Sequence, residues 1–297
     1  MEEREITKEK LKNEIGMSSA TMAKLSKNEE VSMSTIQSLC NYFDCQPGAI
    51  LSYEKEIDEN SILFKLREEK EMKLKGGLYH QTQVRLAYNS NHMEGSRLTE
   101  DQTRSIYETQ TIGITEGHEK IDDIIETVNH FRCFDYILST ADKELSEDII
   151  KHIHFLLKSG TTDSQKEWFA VGDYKRLANE VGGEGTTDPK QVHQHMKQLL
   201  AEYNQLKQVS LDDVLNFHVR FERIHPFQDG NGRIGRLLMF WQCLQNNIVP
   251  FIIPEDLRLD YYRGIQNWDH IKGFLTDTCL TAQDYYKEHL QYFKIKF

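Results

Sequence analysis

From Glu119 to Leu138 the apolar residues Ile121, Ile124, Ile125, Val128, Phe131, Phe134, Ile137 and Leu138 return every three or four positions. That period matches the turn of an α-helix and draws one oily stripe along it, which other helices must cover. The pattern recurs. Ile149, Ile150, Ile153, Leu156 and Leu157 mark a second helix, and Leu78 to Met93 reads as another. Asp188 before Pro189 reads as the N-cap and first-turn proline of a helix carrying Met196, Leu199, Leu200 and Tyr203. Ser210, with Asp213 three residues on, caps the next, which runs through Leu215 and Phe217 to Ile224. Only "WFAVGDYKRLANEVGG", where Gly172-Asp173 and Gly182-Gly183 bracket short mixed segments, reads as a β-hairpin. The fold class is mainly α. With 38% apolar residues, 14 Phe and 13 Tyr, 297 residues suffice for one large core and a small second module.

Residues 1–55 contain two short helical patterns, Lys8 to Ile15 and Ser18 to Leu25, followed by "SMSTIQSLCNYFDC". Short helices joined by tight turns look like a helix-turn-helix module. Residues 56–75 are dense in charge and end before Gly76-Gly77, which predicts a linker, at most a solvated helix. Residues 76–297 form the main domain. A net charge of -11 excludes a protein whose chief task is coating DNA or an anionic membrane. Five scattered cysteines without CxxC spacing fit a reducing compartment and supply no zinc site. The charged N-terminus lacks the apolar segment of a leader, and no apolar run reaches the ~18 residues of a membrane span. A soluble cytoplasmic protein is the expectation.

The chemistry is concentrated in "HPFQDGNGRIGR", His225 to Arg236. Gly230 and Gly232 remove Cβ atoms where backbone must approach a ligand, and successive amides at a helix N-terminus form an anion cradle. Arg233 and Arg236, three apart, share a helical face and can reach one polyanion. Asp229 beside the cradle is the kind of carboxylate that holds Mg²⁺ together with phosphate oxygens. His225 is the nearby group able to take a proton near neutral pH. These parts describe transfer of a phosphate-containing group from a Mg-nucleotide to a hydroxyl.

The stretch resembles the HxFx(D/E)GNGRxxR motif of the Fic family at every defined position, and the helical surroundings fit over about residues 76 to 290. The resemblance implies a Fic-type helical bundle with a small β-hairpin flap, and transfer of AMP from ATP to a Ser, Thr or Tyr hydroxyl of a protein. It implies that His225 is the base, that Asp229 holds Mg²⁺, that Gly230, Asn231 and Gly232 hold the α-phosphate, and that Arg233 and Arg236 meet the outer phosphates. Glycine rather than lysine at 232 favours AMP transfer over the family's kinase-like branch. "DYKRLANEVGGEG" resembles the flap, with Val181, Gly182, Gly183 and Glu184 over the nucleotide, and "LDYYRGIQNWD" resembles the adenine-pocket segment, with Tyr261 and Tyr262 lining it.

"SNHMEG" resembles the inhibitory (S/T)xxxE(G/N) motif, with Ser90, Glu94 and Gly95 at its defined positions, on a helix over 78–95. The resemblance implies that the Glu94 carboxylate takes Arg236 from a γ-phosphate, a charge-assisted bond of about 1.5 to 3 kcal/mol. AMP removal or another nucleotide donor on the same site stays open. So does a transcriptional regulator that uses the domain as a nucleotide sensor. The N-terminal module resembles part of a Cro/C1-type repressor, but Ser18 to Leu25 and its flank offer just Lys24 and Lys27, which argues against DNA binding. Self-association or target docking is the other use. The expected partners are a protein substrate, the chain itself among the candidates, and a second copy.

Overall fold

A computed structural model describes residues 6–27, 29–51, 61–113 and 118–297; for Glu184 it describes the backbone alone. The chain divides into one unit over Met1–Glu56 and another over Ile57–Phe297. In the first, α1 (Lys8–Ile15), α2 (Ser19–Ser26) and α3 (Met33–Phe43) each begin at a hydroxyl cap: Thr7, Ser18 and Ser32 accept from the amides of Lys10, Thr21 and Thr35. Ile36, Leu39 and Cys40 of α3 form its small core with Leu11, Ile15 and Leu25.

The second unit is a helical bundle of α4 (Ile62–Glu71), α5 (Leu78–Met93), α6 (Glu100–Thr109), α7 (Ile121–Thr140), α8 (Glu147–Lys158), α9 (Pro189–Asn204), α10 (Leu211–Ile224), α11 (Asn231–Gln245), α12 (Arg258–Gln266) and α13 (Gly273–Tyr292). At its centre lies α11, whose Ile234, Leu237, Leu238, Phe240, Trp241 and Leu244 are all buried. A helix apolar all round has to be enclosed, and α4, α5, α7, α8 and α10 enclose it. No helix among the described residues is long and apolar enough to cross a membrane.

Three expectations need correction. The predicted linker at 56–75 begins outside the described residues, but from Ser61 onward it is no linker. Ile62, Leu63 and Leu66 of α4 are buried in the main core, and Arg67 Nε donates to the Leu138 carbonyl at 2.7 Å. Three apolar residues at i, i+1 and i+4 dock the helix, and two of the surrounding charges, Arg67 and Lys70, add bonds to backbone carbonyls of α7. The hairpin is also much shorter than expected. β1 (Glu180–Val181) pairs antiparallel with β2 (Glu184–Gly185), and residues 168–179 hold no strand. Gly182 and Gly183 both have positive φ, as a two-residue primed turn requires, so the tight turn forms without long strands behind it. Ile121, placed on the buried stripe of α7, is 73% exposed at the helix start. The inward face of that half carries Asp123, Thr127 and His130 instead. Asp123 Oδ2 accepts from the Arg97 amide at 3.2 Å, and Thr127 Oγ1 accepts from Asn91 Nδ2 of α5 at 3.3 Å.

Candidate active site

The turn between α10 and α11 sets the geometry. His225 ends α10 in the left-handed region (φ 50°), with its amide donating to the Phe221 carbonyl. Left-handed backbone is uncommon for histidine and is held here by the buried anchors of the loop. Phe227 is fully buried, stacked 4.1 Å from the His154 ring of α8. Asn231 clips both sides of Phe227: its Oδ1 accepts from the Phe227 amide at 2.8 Å and its Nδ2 donates to the Phe227 carbonyl at 2.8 Å. The Asn231 side chain is thus used inside the loop, not turned to a ligand. Gly230 turns the chain with φ 84°, and α11 begins.

This loop presents the imidazole in a defined protonation pattern. His225 Nδ1 lies 3.3 Å from the Glu222 carbonyl, which only accepts, so Nδ1 carries the hydrogen and Nε2 keeps a bare lone pair. Burial lowers the His225 pKa below the ordinary imidazole value, the Glu222 carbonyl opposes this, and the Lys175 ammonium adds to it. Glu222 itself is pushed up to about 8 by burial and the nearby Glu94 carboxylate, although Arg236 pulls it down.

Opposite His225, Asp229 sits in an ionic ring. Its Oδ2 takes Lys158 Nζ at 2.6 Å and Arg233 Nη2 at 3.0 Å. Glu126 closes the ring, with Oε1 at 2.6 Å from Lys158 Nζ and Oε2 on Arg233 Nη1, and Asp163 adds a contact to Lys158 at 3.1 Å. Burial would raise the Asp229 carboxyl, but Arg233 and Lys158 override it and hold it well below the usual carboxylate range. Asp229 stays ionised with its side chain 45% exposed, and both cations share one oxygen. No cluster of three His, Cys, Asp or Glu able to hold a metal occurs among the described residues. A single open carboxylate fits Mg²⁺ that arrives with phosphate oxygens rather than a resident metal.

The end of α5 meets the same turn. Arg236 Nε donates to Ser90 Oγ at 3.0 Å, and its Nη2 reaches the Ser90 carbonyl at 2.9 Å and Glu94 Oε1 at 2.6 Å. A Cβ on Gly232 would overlap the Glu94 carboxylate, so Glu94 lies directly over the cradle. Burial opposes ionisation of Glu94, but Arg236 and Arg233 outweigh it and lower its pKa. Gly95 follows with φ 92° and turns the chain away from α5. A cavity of about 580 Å³ lies elsewhere, between Arg85 and Tyr88 of α5 and Tyr286 of α13. The void lined by Ser90 and Arg236 holds only about 10 Å³. Glu94 fills the space over Gly232.

Residues 144–243 match the Fic/DOC family, and residues 1–56 match the Cro/C1-type HTH DNA-binding domain. The chain carries a Fic domain. Protein adenylyltransferase Fic of Drosophila persimilis is 32% identical over 185 residues, which cover 60% of this chain and 35% of the relative. Protein adenylyltransferase fic-1 of Caenorhabditis elegans is 25% identical over 195 residues, 63% of this chain and 37% of the relative. The chain spans about a third of the length of these curated relatives. A Fic domain containing signaling protein from Bacteroides thetaiotaomicron shares the fold at TM-score 0.57 and 23% identity, covering 77% of this chain and 90% of that one. Fic-1 from C. elegans does so at TM-score 0.60 and 19% identity, covering 78% and 72%.

Of the residues singled out in the sequence, His225, Asp229, Gly232, Arg233, Arg236, Ser90 and Glu94 meet at this turn of the Fic domain. Tyr261 is fully buried, with its hydroxyl 2.6 Å from His218 Nε2. Tyr262 is partly buried, its hydroxyl 3.4 Å from the Met93 carbonyl. Val181 is half exposed on the hairpin with Gly182 and Gly183 at its tip. Sequence reasoning missed Glu126, Lys158, Asp163 and His154. A signal existed for two: His154 and Lys158 follow Ile150 at intervals of four, so they lie in phase with the buried stripe of α8.

Proposed function

We propose that the Fic domain transfers AMP from ATP to a hydroxyl of a protein, and that Glu94 restrains it. The observation that carries this reading is the single turn that combines a histidine with a bare Nε2 and a glycine cradle flanked by Arg236 and ionised Asp229. The names of the curated relatives support the same reaction.

In this reading His225 Nε2 takes the proton of the acceptor hydroxyl as its oxygen bonds to the α-phosphorus. The bond from that phosphorus to the oxygen bridging toward the β-phosphate breaks, pyrophosphate leaves, and the imidazolium returns its proton to water. Asp229 would hold Mg²⁺, which neutralises phosphate charge when bound. Lys158 and Arg233 keep the Asp229 carboxylate ionised and oriented, and Gly232 leaves room for the α-phosphate at the first turn of α11, whereas the open side of Gly230 faces Leu157 and Lys158 of α8 and that glycine serves the left-handed turn. Arg236 is available to outer phosphates only once Glu94 leaves it, because both bind the same guanidinium. The acceptor is a protein hydroxyl, and the chain's own is the simplest to assay.

Mass spectrometry of Glu94→Gly after incubation with ATP and Mg²⁺ tests the reaction. We expect the mass of AMP on a hydroxyl of the chain or of an added protein acceptor. Absence of AMP from every acceptor would overturn the reading. Against the unsubstituted chain, incorporation by Glu94→Gly rises about ten- to a hundredfold, the equivalent of one charge-assisted hydrogen bond. Equal incorporation by the two would remove Glu94 from the restraining role.

The pH dependence follows from His225. The base works unprotonated, and burial lowers its pKa, so the rate rises with pH on the acid side and levels off early. For Glu94→Gly at saturating ATP the acid limb has its midpoint below about 6.5, the ordinary imidazole value. A midpoint above that value would count against His225 as the base.

A further inference from the structure

The hairpin is too small to hold itself. Two residues per strand and a half-exposed Val181 give almost no burial, and an isolated pair of such strands is unstable in water. Its base, however, is tied to the turn that carries His225. Asn179 Nδ2 donates to the Phe227 carbonyl at 3.0 Å, the Thr186 amide to the Asn179 carbonyl at 3.2 Å, and the Leu177 amide to Gln228 Oε1 at 3.3 Å.

Lys175 is at the centre of these ties. Its amide donates to the Pro226 carbonyl at 2.8 Å. Its side chain is 3% exposed, and Nζ donates to Thr186 Oγ1 at 2.6 Å, Asn179 Oδ1 at 2.7 Å and the Ile224 carbonyl at 3.3 Å. All three acceptors are neutral, and no carboxylate among the described residues forms an ion pair with it. A buried ammonium without an anion is costly, and burial pushes this one down to about 8 although Asp188 opposes the shift. The arrangement has a physical reason. Because His225 leaves the helical conformation, the Ile224 carbonyl at the negative end of α10 has no following amide to accept from, and a lysine suits both the orphan oxygen and the helix dipole.

We propose that Lys175 is a positioning residue that locks the base of the hairpin to the end of α10, so that the hairpin and His225 keep the one relative position that AMP transfer needs. One ammonium holds Asn179 and Thr186, on the two sides of the hairpin base, and the last carbonyl before the histidine. The functional half of this proposal rests on the AMP-transfer reading; the mechanical half does not.

The test compares Lys175→Met with its parent, both carrying Glu94→Gly, in the full chain. Methionine keeps the length of the side chain and removes the donor. Hydrogen exchange at the amides of Leu177 and Thr186 is expected to quicken at least tenfold on Lys175→Met, while exchange in α13 is unchanged. Calorimetric affinity for ATP with Mg²⁺ stays within threefold, and AMP transfer at saturating ATP falls at least tenfold. Unchanged exchange at the hairpin base overturns the proposal, as does equal acceleration in α13, which would make Lys175 an ordinary part of the core. Faster hairpin exchange with undiminished transfer by an active parent also overturns it. Should Lys175→Met fail to fold, Thr186→Val decides the matter: it removes one acceptor and must quicken exchange over residues 177–186 alone. A parent that transfers no AMP sinks the reaction, not the lock, which the exchange measurement decides by itself.

Discussion

His225→Ala in the Glu94→Gly background is expected to lose AMP transfer by about a hundred- to ten-thousandfold, the range that a positioned general base contributes. The loss is to fall on the rate and not on nucleotide affinity, for structural reasons. The shape of the turn is set by Asn231 on both sides of Phe227, by the Phe227 and His154 rings, and by Lys175 on the Pro226 and Ile224 carbonyls. None of these contacts uses the imidazole, whose one bond in the turn is from Nδ1 to the Glu222 carbonyl. The cradle and Arg236 therefore survive the substitution. Calorimetry should find ATP binding within about threefold of the parent, less than 1 kcal/mol, while labelled AMP incorporation collapses. Transfer within tenfold of the parent would make His225 a spectator.

Lys158→Met is expected to cost about 3 kcal/mol of folding stability, near the low end for removing one partner of a buried ion pair. Lys158 is 2% exposed, and its ammonium answers Glu126, Asp163 and Asp229 at once. Without it only Arg233 remains inside the ring to face Glu126 and Asp229, while Asp163 keeps the surface Lys166. Partial exposure of Asp229 lets water screen some of the loss, which is why the low end applies. Urea unfolding should give a lower midpoint with an unchanged slope. The control is Lys166→Met: that lysine also bonds Asp163 at 2.6 Å, but it is solvent-exposed and should change stability by less than about 1 kcal/mol. Equal effects of the two substitutions would show that the ring is no more than a surface network.

Much of the bundle was legible because its signals are local. Asp188-Pro189 and the Ser210/Asp213 capping box start helices where they are expected, and the stripe of Phe131, Phe134, Ile137 and Leu138 is buried in one row. Local signals misled where a short apolar set was embedded in charge, as in α4, where Ile62, Leu63 and Leu66 are enough to dock a helix that looks like a linker. At Tyr261 they left the question open, since an aromatic next to a charged segment suits a pocket or a core equally, and the structure buries the ring with its hydroxyl beside His218 Nε2.

The sequence by itself determined the chemistry of residues 225–236, because glycines, a carboxylate, an imidazole and arginines at adjacent positions must share a turn whatever surrounds them. Only the tertiary structure decided what that turn faces. Glu94 reaches Arg236 from 142 positions away, Glu126 reaches Arg233 from 107, and Lys158 reaches Asp229 from 71. Pairing at such separations depends on how whole helices pack, and the apolar stripes that fix the packing carry no record of which charges it brings together.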